Sequence, residues 1–275
     1  MPNESAAVVS LEEKERRLRA LLKSYESLII AFSGGADSAY LAYVANSELG
    51  DRALAVTGDS ASYPTFQREL ADRLTRQFGI HHEIILTKEF EDTNYTSNPP
   101  NRCYYCKTEL YTRLNDLRRR RGFAIICDGS NADDVGDYRP GRLAAREIDV
   151  RSPLEECRLT KAEIRELSRR AGLPTWDEPA SACLSSRVPY GQVVTIEKLS
   201  MVDKAEITLK GMGFRQVRVR HHGDVARIEV ACEELSRALN PEMAARMSSA
   251  LKALGFKYVA LDLDGYRSGS LNEAL

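Results

Sequence analysis

The feature that most constrains the fold is a loop with two adjacent glycines, located between a buried strand and a helix. The apolar run Leu28–Phe32 predicts a buried strand, the string 33–38 (Ser-Gly-Gly-Ala-Asp-Ser) predicts a tight loop, and residues 39–48 predict a helix. Backbone N–H groups at a helix N-terminus lack intrahelical partners, and the helix dipole favours negative charge there. The sequence therefore predicts an anion site directly after the first strand.

The residue types in this loop suit a phosphate ligand. Gly34 and Gly35 let the backbone approach an anion without a Cβ clash, and Ser33 and Ser38 can add hydroxyl donors. Asp37 would repel a phosphate unless a cation lay between the two, so the loop implies Mg²⁺. The alternative is an ordinary glycine turn before a capped helix.

The loop differs from a Walker A motif, because it lacks the second glycine at the required spacing and the Lys-Ser/Thr pair. The string matches the PP-loop, the signature of ATP pyrophosphatases, which release pyrophosphate and leave AMP on their substrate. This match predicts ATP as a substrate.

Strands and helices alternate along the first 190 residues. The patterns predict further strands at 53–57, 83–87 and 123–127 and helices at 11–26, 64–78, 107–121 and 160–171. Such alternation predicts a doubly wound, mostly parallel α/β sheet with helices on both faces.

The regular alternation of predicted strands and helices ends after residue 190. Helices are predicted at 195–212 and 240–254 and strands at 216–220, 225–231 and 257–263. We therefore predict a domain of ATP pyrophosphatase type at 1–189. A small α+β domain at 190–275 would serve substrate binding or oligomerisation.

Polar residues follow two of the strands in the first domain. Asp59 comes after the second strand and Gly129 after the fourth, and in a doubly wound sheet ligands bind at such strand ends. Both residues are candidates for ATP binding. The alternative is turn chemistry, because Gly and Asp are common in loops.

Three of the six cysteines stand in unusual surroundings. Cys103 and Cys106 form a C-x-x-C pair, and Cys183 lies in a loop of small residues close to Arg187, which could lower the thiol pKa and hold an anion. Three thiolates fit an iron–sulfur cluster with one open iron, or a nucleophile with a resolving pair. The other three cysteines are interpreted as packing residues; they are Cys127, Cys157 and Cys232.

A predicted hairpin carries arginines on one face. Arg218, Arg220 and His222 alternate with Val217 and Val219. Such arginines can bind a phosphate or carboxylate bidentately. The alternative is a solvated strand face.

The overall composition restricts location and partners. The formal net charge is −1, so no global field attracts nucleic acid, and we expect nucleic acid to be an unlikely partner. Neither a signal core nor an apolar stretch of membrane-spanning length is apparent, so a cytoplasmic protein without membrane association is expected.

Several segments together resemble the LarE family of ATP-dependent pyridinium-3,5-biscarboxylic acid mononucleotide sulfur transferases. The resemblance covers nearly the whole chain. Its segments are 32–38, 101–107, 182–191, Arg218–Arg220 and 261–270. The segment around Cys183 and the closing Gly-Tyr-Arg-x-Gly-Ser string are its most specific parts.

The resemblance implies a reaction in nickel-pincer nucleotide synthesis for lactate racemase. ATP would adenylate a substrate carboxylate, which would become a thiocarboxylate. In members with a single cysteine, the residue matching Cys183 gives up its own sulfur. This chain resembles the three-cysteine members, in which Cys103, Cys106 and Cys183 would hold a [4Fe-4S] cluster.

The resemblance also implies binding residues and an assembly. Arg218, Arg220 and Arg187 would hold the phosphate of the small-molecule nucleotide substrate. Homo-oligomers, specifically hexamers, are expected.

Three other functional classes stay open from the sequence. A PP-loop tRNA thiolase also uses three cysteines and a cluster but needs a basic footprint. An amide-forming enzyme such as an NAD synthetase needs no cysteines. A non-enzymatic nucleotide-binding or iron-storage module would bind AMP or metal without releasing pyrophosphate.

Overall fold

The computed structural model describes residues 9–135 and 140–267 of the chain. The helices in these ranges are α1 (Leu11–Ser24), α2 (Ala36–Leu49), α3 (Thr65–Gln77), α4 (Thr93–Thr96), α5 (Arg102–Arg121), α6 (Gly141–Glu147), α7 (Pro153–Glu156), α8 (Lys161–Arg170), α9 (Ile196–Gly211), α10 (Leu235–Ala238) and α11 (Pro241–Ala253). The strands are β1 (Leu28–Ala31), β2 (Ala53–Asp59), β3 (His82–Leu86), β4 (Ile125–Cys127), β5 (Val217–His222), β6 (Val225–Val230) and β7 (Tyr258–Leu261).

A four-stranded parallel sheet has the strand order β3-β2-β1-β4. In its register, Leu28 of β1 pairs with Ala53 of β2 and with Ile125 of β4. All four residues of β1 are buried, as expected for a central strand covered on both faces. The predicted doubly wound parallel α/β class is confirmed.

Helices α1, α2 and α8 contribute to the core that surrounds this sheet. Leu18 and Leu22 of α1, Leu41 of α2 and Ile164 and Leu167 of α8 belong to one buried cluster. Helix α1 begins where Ser10 caps it, and α8 begins with a capping box between Thr160 and Glu163. Local capping signals therefore set where these helices start.

The C-terminal strands form a separate three-stranded sheet in the order β5-β6-β7. Strands β5 and β6 form the predicted antiparallel hairpin, in which Arg218 pairs with Glu229, and β7 lies parallel to β6. Apolar side chains of β5, β6, α9 and α11 form its core. The core includes Val217, Ile228, Leu209 and Leu251.

The chain divides into two compact units. Unit 1 takes in residues up to Gly58, Glu69–Ile85 and Lys107–Glu178. Unit 2 takes in Asp59–Arg68, Leu86–Cys106 and the chain from Pro179 onward. The boundary between residues 189 and 190 stays a prediction, and the compact units follow a different division, in which two N-terminal segments join the C-terminal part.

Some helices begin earlier than predicted or were not predicted, and each difference has a physical reason. Helix α2 begins at Ala36, inside the predicted loop, because Gly34 alone supplies the left-handed turn, with φ of 68°. Helix α5 begins at Arg102 and therefore carries the C-x-x-C pair. Helices α6 and α7 were not predicted, since seven and four residues are too few to show a clear period.

Two predictions, on the closing Gly-Tyr-Arg-x-Gly-Ser string and on membrane-spanning segments, can be compared with the structure only over the described residues. Residues 268–270 of the closing Gly-Tyr-Arg-x-Gly-Ser string lie outside the described residues. No helix in the described ranges is both long enough and apolar enough to cross a bilayer.

A substitution at Gly129 tests the packing around the phosphate loop. An added Cβ would lie 2.9 Å from Ser38 N and 3.2 Å from Ser38 Cα, where only backbone could move aside. We expect G129A to lower the free energy of unfolding by about 1–3 kcal/mol, as overpacking does. Chemical unfolding followed by circular dichroism measures the change.

Gly211 provides the matched control for this substitution. It is the last residue of α9, and an added Cβ meets nothing within 4 Å. G211A should be neutral or slightly stabilising. Equal stability of G129A and G211A would contradict the close approach.

Candidate active site

The side chain of Ser38 closes the phosphate loop, residues 33–38. Its Oγ donates to the carbonyl of Gly35 (3.1 Å) and accepts from the backbone N–H of Ser33 (3.2 Å). Ser38 is buried, whereas Ser33 is exposed. Gly35 is the N-cap of α2, so the first N–H groups of that helix have no intrahelical partner. The loop can therefore offer backbone donors to an anion, with Ser38 as an internal brace.

Asp37 is the acidic member of the loop and is paired with a lysine. Lys161 Nζ lies 2.5 Å from Asp37 Oδ2, and Asp37 Oδ1 is buried without a hydrogen-bond partner among the described residues. Burial raises the pKa of Asp37, Lys161 lowers it, and the charge of Asp134 raises it further. An orphaned carboxylate oxygen beside an anion site fits Mg²⁺, which takes one or two carboxylates together with phosphate oxygens.

Lys161 was missed by the sequence reasoning, although a signal existed. It is the first residue of α8, where the helix dipole disfavours a cation. A lysine at such a position suggests a nearby negative group, which is Asp37.

The two polar strand ends differ in their surroundings. The backbone of Gly129 approaches Ser38, and its neighbour Asp128 accepts hydrogen bonds from Tyr111 Oη (3.1 Å) and Ser152 Oγ (2.8 Å). Asp59 belongs to unit 2 and forms an ion pair with Arg68. Gly129 therefore lies beside the phosphate loop, whereas Asp59 is ion-paired with a residue of its own unit.

The three candidate cysteines all belong to unit 2, and their charges act on two tyrosines of that unit, Tyr95 and Tyr190. Cys106 and Cys183 both raise the pKa of Tyr95, after burial as the main cause. Cys103 and Cys183 likewise raise the pKa of Tyr190, again after burial. Cys103 is exposed and the other two are partly buried.

These thiols do not form a closed ligand set in the described chain. Across residues 9–135 and 140–267, no three or more His, Cys, Asp or Glu side chains lie close enough together to hold a metal ion. Cys183 thus shares the influence on Tyr95 with Cys106 and the influence on Tyr190 with Cys103. Cys103 and Cys106 lie three residues apart at the start of α5.

One side of the Cys183 loop is hydrogen-bonded to the segment that precedes α5. Tyr95 Oη lies 2.5 Å from Ser185 Oγ. Asn98 is fully buried, and its Nδ2 donates to the carbonyls of Val188 (3.2 Å) and Pro189 (2.8 Å). These bonds connect the segment carrying Cys183 to the segment leading into the C-x-x-C pair.

The other side of this loop is held by a buried ion pair. Arg187 Nε and Nη2 donate to the two carboxylate oxygens of Glu206 at 2.8 and 3.0 Å, and Arg187 Nη1 donates to the carbonyl of Cys183 at 3.0 Å. Burial opposes the charge of Glu206, but Arg187 lowers its pKa below the ordinary value. Glu206 also accepts from the backbone N–H of Val219 (3.0 Å), so it joins α9, β5 and the Cys183 loop.

The arginine face of the hairpin is buried. Arg218 and Arg220 are each only 6% exposed, so the alternative of a solvated strand face is wrong for these two residues. Arg220 forms a bidentate pair with Glu229 (2.9 and 2.8 Å) and donates to the carbonyl of Ser186 (2.7 Å). Arg218 donates to the carbonyl of Ala180.

Arg218 differs from its neighbours in having no carboxylate partner. None of the described residues places a carboxylate within ion-pair distance of its guanidinium. Burial lowers the pKa of Arg218, and repulsion by Arg187 lowers it further. A buried cation in these surroundings is suited to an anionic ligand.

The remaining cysteines divide between core and surface. Cys127 and Cys157 are buried, and burial raises the pKa of both thiols, to about 11 for Cys157. Their packing role is confirmed. Cys232 is exposed, so the packing interpretation is wrong there. It lies beyond the C-terminal end of β6, at the start of a short 3-10 turn, where a side chain need not point into the core.

The parallel sheet and its phosphate loop define the class of the protein, a PP-loop-like doubly wound α/β protein. No family model matches the chain. The chain is 36% identical to the pyridinium-3,5-bisthiocarboxylic acid mononucleotide synthase of Lactiplantibacillus plantarum, over 98% of this chain and 97% of that protein. It is 44% identical to an uncharacterized protein of Synechocystis, over 96% of this chain and 99% of that protein.

The chain therefore belongs to the LarE family, that of the Lactiplantibacillus synthase. A third relative, an uncharacterized protein of Methanocaldococcus jannaschii, is 25% identical over 88% of this chain and 92% of its own length. The Lactiplantibacillus relative is a synthase by name, so the family to which the chain belongs includes an enzyme.

The Arg187–Glu206 pair predicts a pH-dependent loss of stability. The folded-state pKa of Glu206 lies below its ordinary value, so the pair stabilises the fold above about pH 4.3, the usual glutamate pKa. That stabilisation is lost as the pH falls through the folded-state pKa. We expect E206Q to cost about 3 kcal/mol at pH 7, and the difference from the wild type to shrink in acid.

Chemical unfolding at a series of pH values measures this difference. Glu91, in an exposed ion pair with Lys88, provides the control, and E91Q should change stability by less than about 1 kcal/mol. An E206Q penalty that is small at pH 7, or that grows in acid, would contradict the ion-pair account.

Proposed function

We propose that this chain is an ATP-dependent sulfur transferase of nickel-pincer nucleotide synthesis. It would adenylate a carboxylate of pyridinium-3,5-biscarboxylic acid mononucleotide and convert it to a thiocarboxylate. The observation that carries the proposal is the 36% identity to the Lactiplantibacillus synthase along 98% of the chain. The phosphate loop supports the first step of this reaction, activation by ATP. The three cysteines of unit 2 support the second step, delivery of sulfur.

The activation half is assigned to the phosphate loop. A carboxylate oxygen of the substrate attacks the α-phosphorus of ATP, the bond to pyrophosphate breaks, and an acyl adenylate forms. Backbone donors at Gly34 and Gly35, with the Ser33 hydroxyl, would hold the phosphates, and Ser38 would hold the loop in shape. Asp37 Oδ1 would ligate Mg²⁺, and Lys161 would shift its contact from Asp37 to a phosphate oxygen.

The substrate phosphate is assigned to the buried arginine face. Arg218 has no internal carboxylate partner and would supply the main charge, with Arg220 beside it. Arg187 was expected to join them, but each of its three nitrogens already donates within the protein. We therefore propose Arg187 as a positioning residue for the Cys183 loop.

The delivery half is assigned to Cys103, Cys106 and Cys183. Three thiols in one compact unit fit the ligand chemistry of a [4Fe-4S] cluster with one open iron. Such a cluster would supply sulfide for transfer. The residues around the thiols position them: Tyr95 and Asn98 hold one side of the Cys183 loop and Arg187 the other.

A single anaerobic experiment tests the function. The protein is purified without oxygen, its iron content is measured, and ATP, the pyridinium dicarboxylate and sodium sulfide as the sulfur source are supplied. We expect pyrophosphate and thiocarboxylate, with more than one turnover per chain. A mass loss of about 34 Da, one H₂S leaving dehydroalanine at Cys183, would instead identify the protein as the sulfur donor. Pyrophosphate released only with tRNA would refute the proposal.

Replacing one thiol tests the ligand assignment. C103A should lose iron and the visible absorbance of the cluster. Cys232 provides the matched control, because it is also an exposed cysteine of unit 2 but stands outside the site. C232A should keep the iron content of the wild type. Unchanged iron in C103A would overturn the assignment.

A further inference from the structure

Unit 2 contains four buried arginines, and their ionic partners differ. Arg187 is paired with Glu206, and Arg220 with Glu229. Arg102 and Arg218 are 3% and 6% exposed, and within the described ranges neither has a carboxylate at ion-pair distance. Unit 2 therefore holds two buried guanidinium groups without an ion-paired carboxylate in the described chain; the charge of Glu206 still acts on Arg218, whereas no carboxylate is paired with Arg102.

Arg102 is held firmly by uncharged neighbours. Its Nη1 donates to Asn98 Oδ1 (2.6 Å), and its guanidinium lies over the ring of Tyr190, 5.1 Å from the centroid. Its Nε is buried and has no hydrogen-bond partner in the described chain. Asn98 is in turn fixed by its bonds to Val188 and Pro189, so the guanidinium has a defined place.

A charge buried in this way requires an anion. Taking a guanidinium out of water costs several kcal/mol unless an opposite charge compensates. The hydrogen bonds to the side chains of Asn98 and Tyr190, together with the ring of that tyrosine, compensate only part of that cost. Arg102 is also the first residue of α5, where the helix dipole adds positive potential. No carboxylate of the described residues provides that opposite charge, which leaves the place open to an anionic ligand.

The anion would lie next to the thiols. Arg102 directly precedes Cys103 in the chain. Tyr190, which contacts the Arg102 guanidinium, is also within electrostatic influence of Cys103 and Cys183. A group bound to Arg102 thus shares its surroundings in unit 2 with Cys103 and Cys183.

We propose that Arg102 binds the second carboxylate of the substrate, the one that is not being activated. This inference rests on the proposed function, in which the substrate carries one phosphate and two carboxylates. One carboxylate loses its charge on adenylation, which leaves two anionic groups. The phosphate meets Arg218, and the remaining carboxylate meets Arg102.

The two carboxylates stand at equivalent positions of the pyridinium ring. If both are converted in turn, the ring presents each to the activation site once. Arg102 would then hold a carboxylate in the first round and the thiocarboxylate anion in the second. One recognition residue serves both rounds, because both groups are planar monoanions that accept bidentate hydrogen bonds.

Binding of two matched mononucleotides tests this assignment. Nicotinic acid mononucleotide has the same ring and phosphate but a single carboxylate. We expect calorimetric titration of the wild type to give a Kd for the biscarboxylate at least about tenfold lower than for nicotinic acid mononucleotide. In R102Q that ratio should fall to about one, and in R102K to an intermediate value, since lysine keeps the charge but not the bidentate fork.

Two further variants separate this role from others. R218Q should weaken both ligands by the same factor, because both carry the phosphate. Arg113 lies on the same helix and is paired with Glu109, so R113Q should retain the wild-type ratio. Thermal unfolding and ATP binding show whether each variant is folded. If R102Q does not fold, the ratio of the two dissociation constants is compared between the wild type and R102K.

The outcomes distinguish the inference from the proposed function. If the wild type binds neither mononucleotide, the proposed function fails. If the wild type prefers the biscarboxylate and R102Q keeps that preference, the inference alone is overturned. If R102Q keeps the preference but loses iron, Arg102 balances the charge of the thiolates or of a cluster, which also overturns the inference.

Discussion

The buried ion pair between Arg187 and Glu206 connects the parts of unit 2 on which the candidate site depends. Arg187 donates to the carbonyl of Cys183, and Glu206 accepts from the backbone of β5 beside Arg218. A pair of this kind can cost as much in desolvation as it gains in attraction. Its value here is geometric, because it holds the thiol-bearing loop and the arginine strand in one arrangement.

Charge balance explains how the same unit can serve as a binding site. Two of its four buried arginines are neutralised by Glu206 and Glu229, and these pairs brace the structure. The other two, Arg102 and Arg218, are buried without such partners. On the proposals above, a doubly anionic ligand would bring an opposite charge to both guanidinium groups at once.

Much of the fold could be predicted from the sequence, because the signals were local. The buried strand before Gly34, the alternation of strands and helices, and the capping box at Thr160 each carry their information within a few residues. The phosphate loop was predictable for the same reason. The start of α5 was not, since the prolines at 99 and 100 obscure a helix that begins two residues later.

The parts of the site that could not be predicted depend on contacts between residues that lie far apart in the sequence. Strand alternation placed Arg218 and Arg220 on one face but did not show that this face is buried, or that Glu206 of another element binds the backbone of β5. The pairing of Asp37 with Lys161 joins residues 124 positions apart. Asn98 and Arg102 lie outside every predicted helix and strand, and only the structure shows their burial and their contacts with Pro189 and Tyr190.

The central claim is that ATP activates a substrate carboxylate by adenylation before sulfur is delivered. Oxygen-18 in the substrate carboxylates tests it most directly, with mass spectrometry of the AMP that is released. The account predicts AMP carrying one labelled oxygen, because the carboxylate oxygen attacks phosphorus and leaves with AMP when the carbon–oxygen bond breaks. Unlabelled AMP, or ADP and phosphate in place of AMP and pyrophosphate, would contradict it.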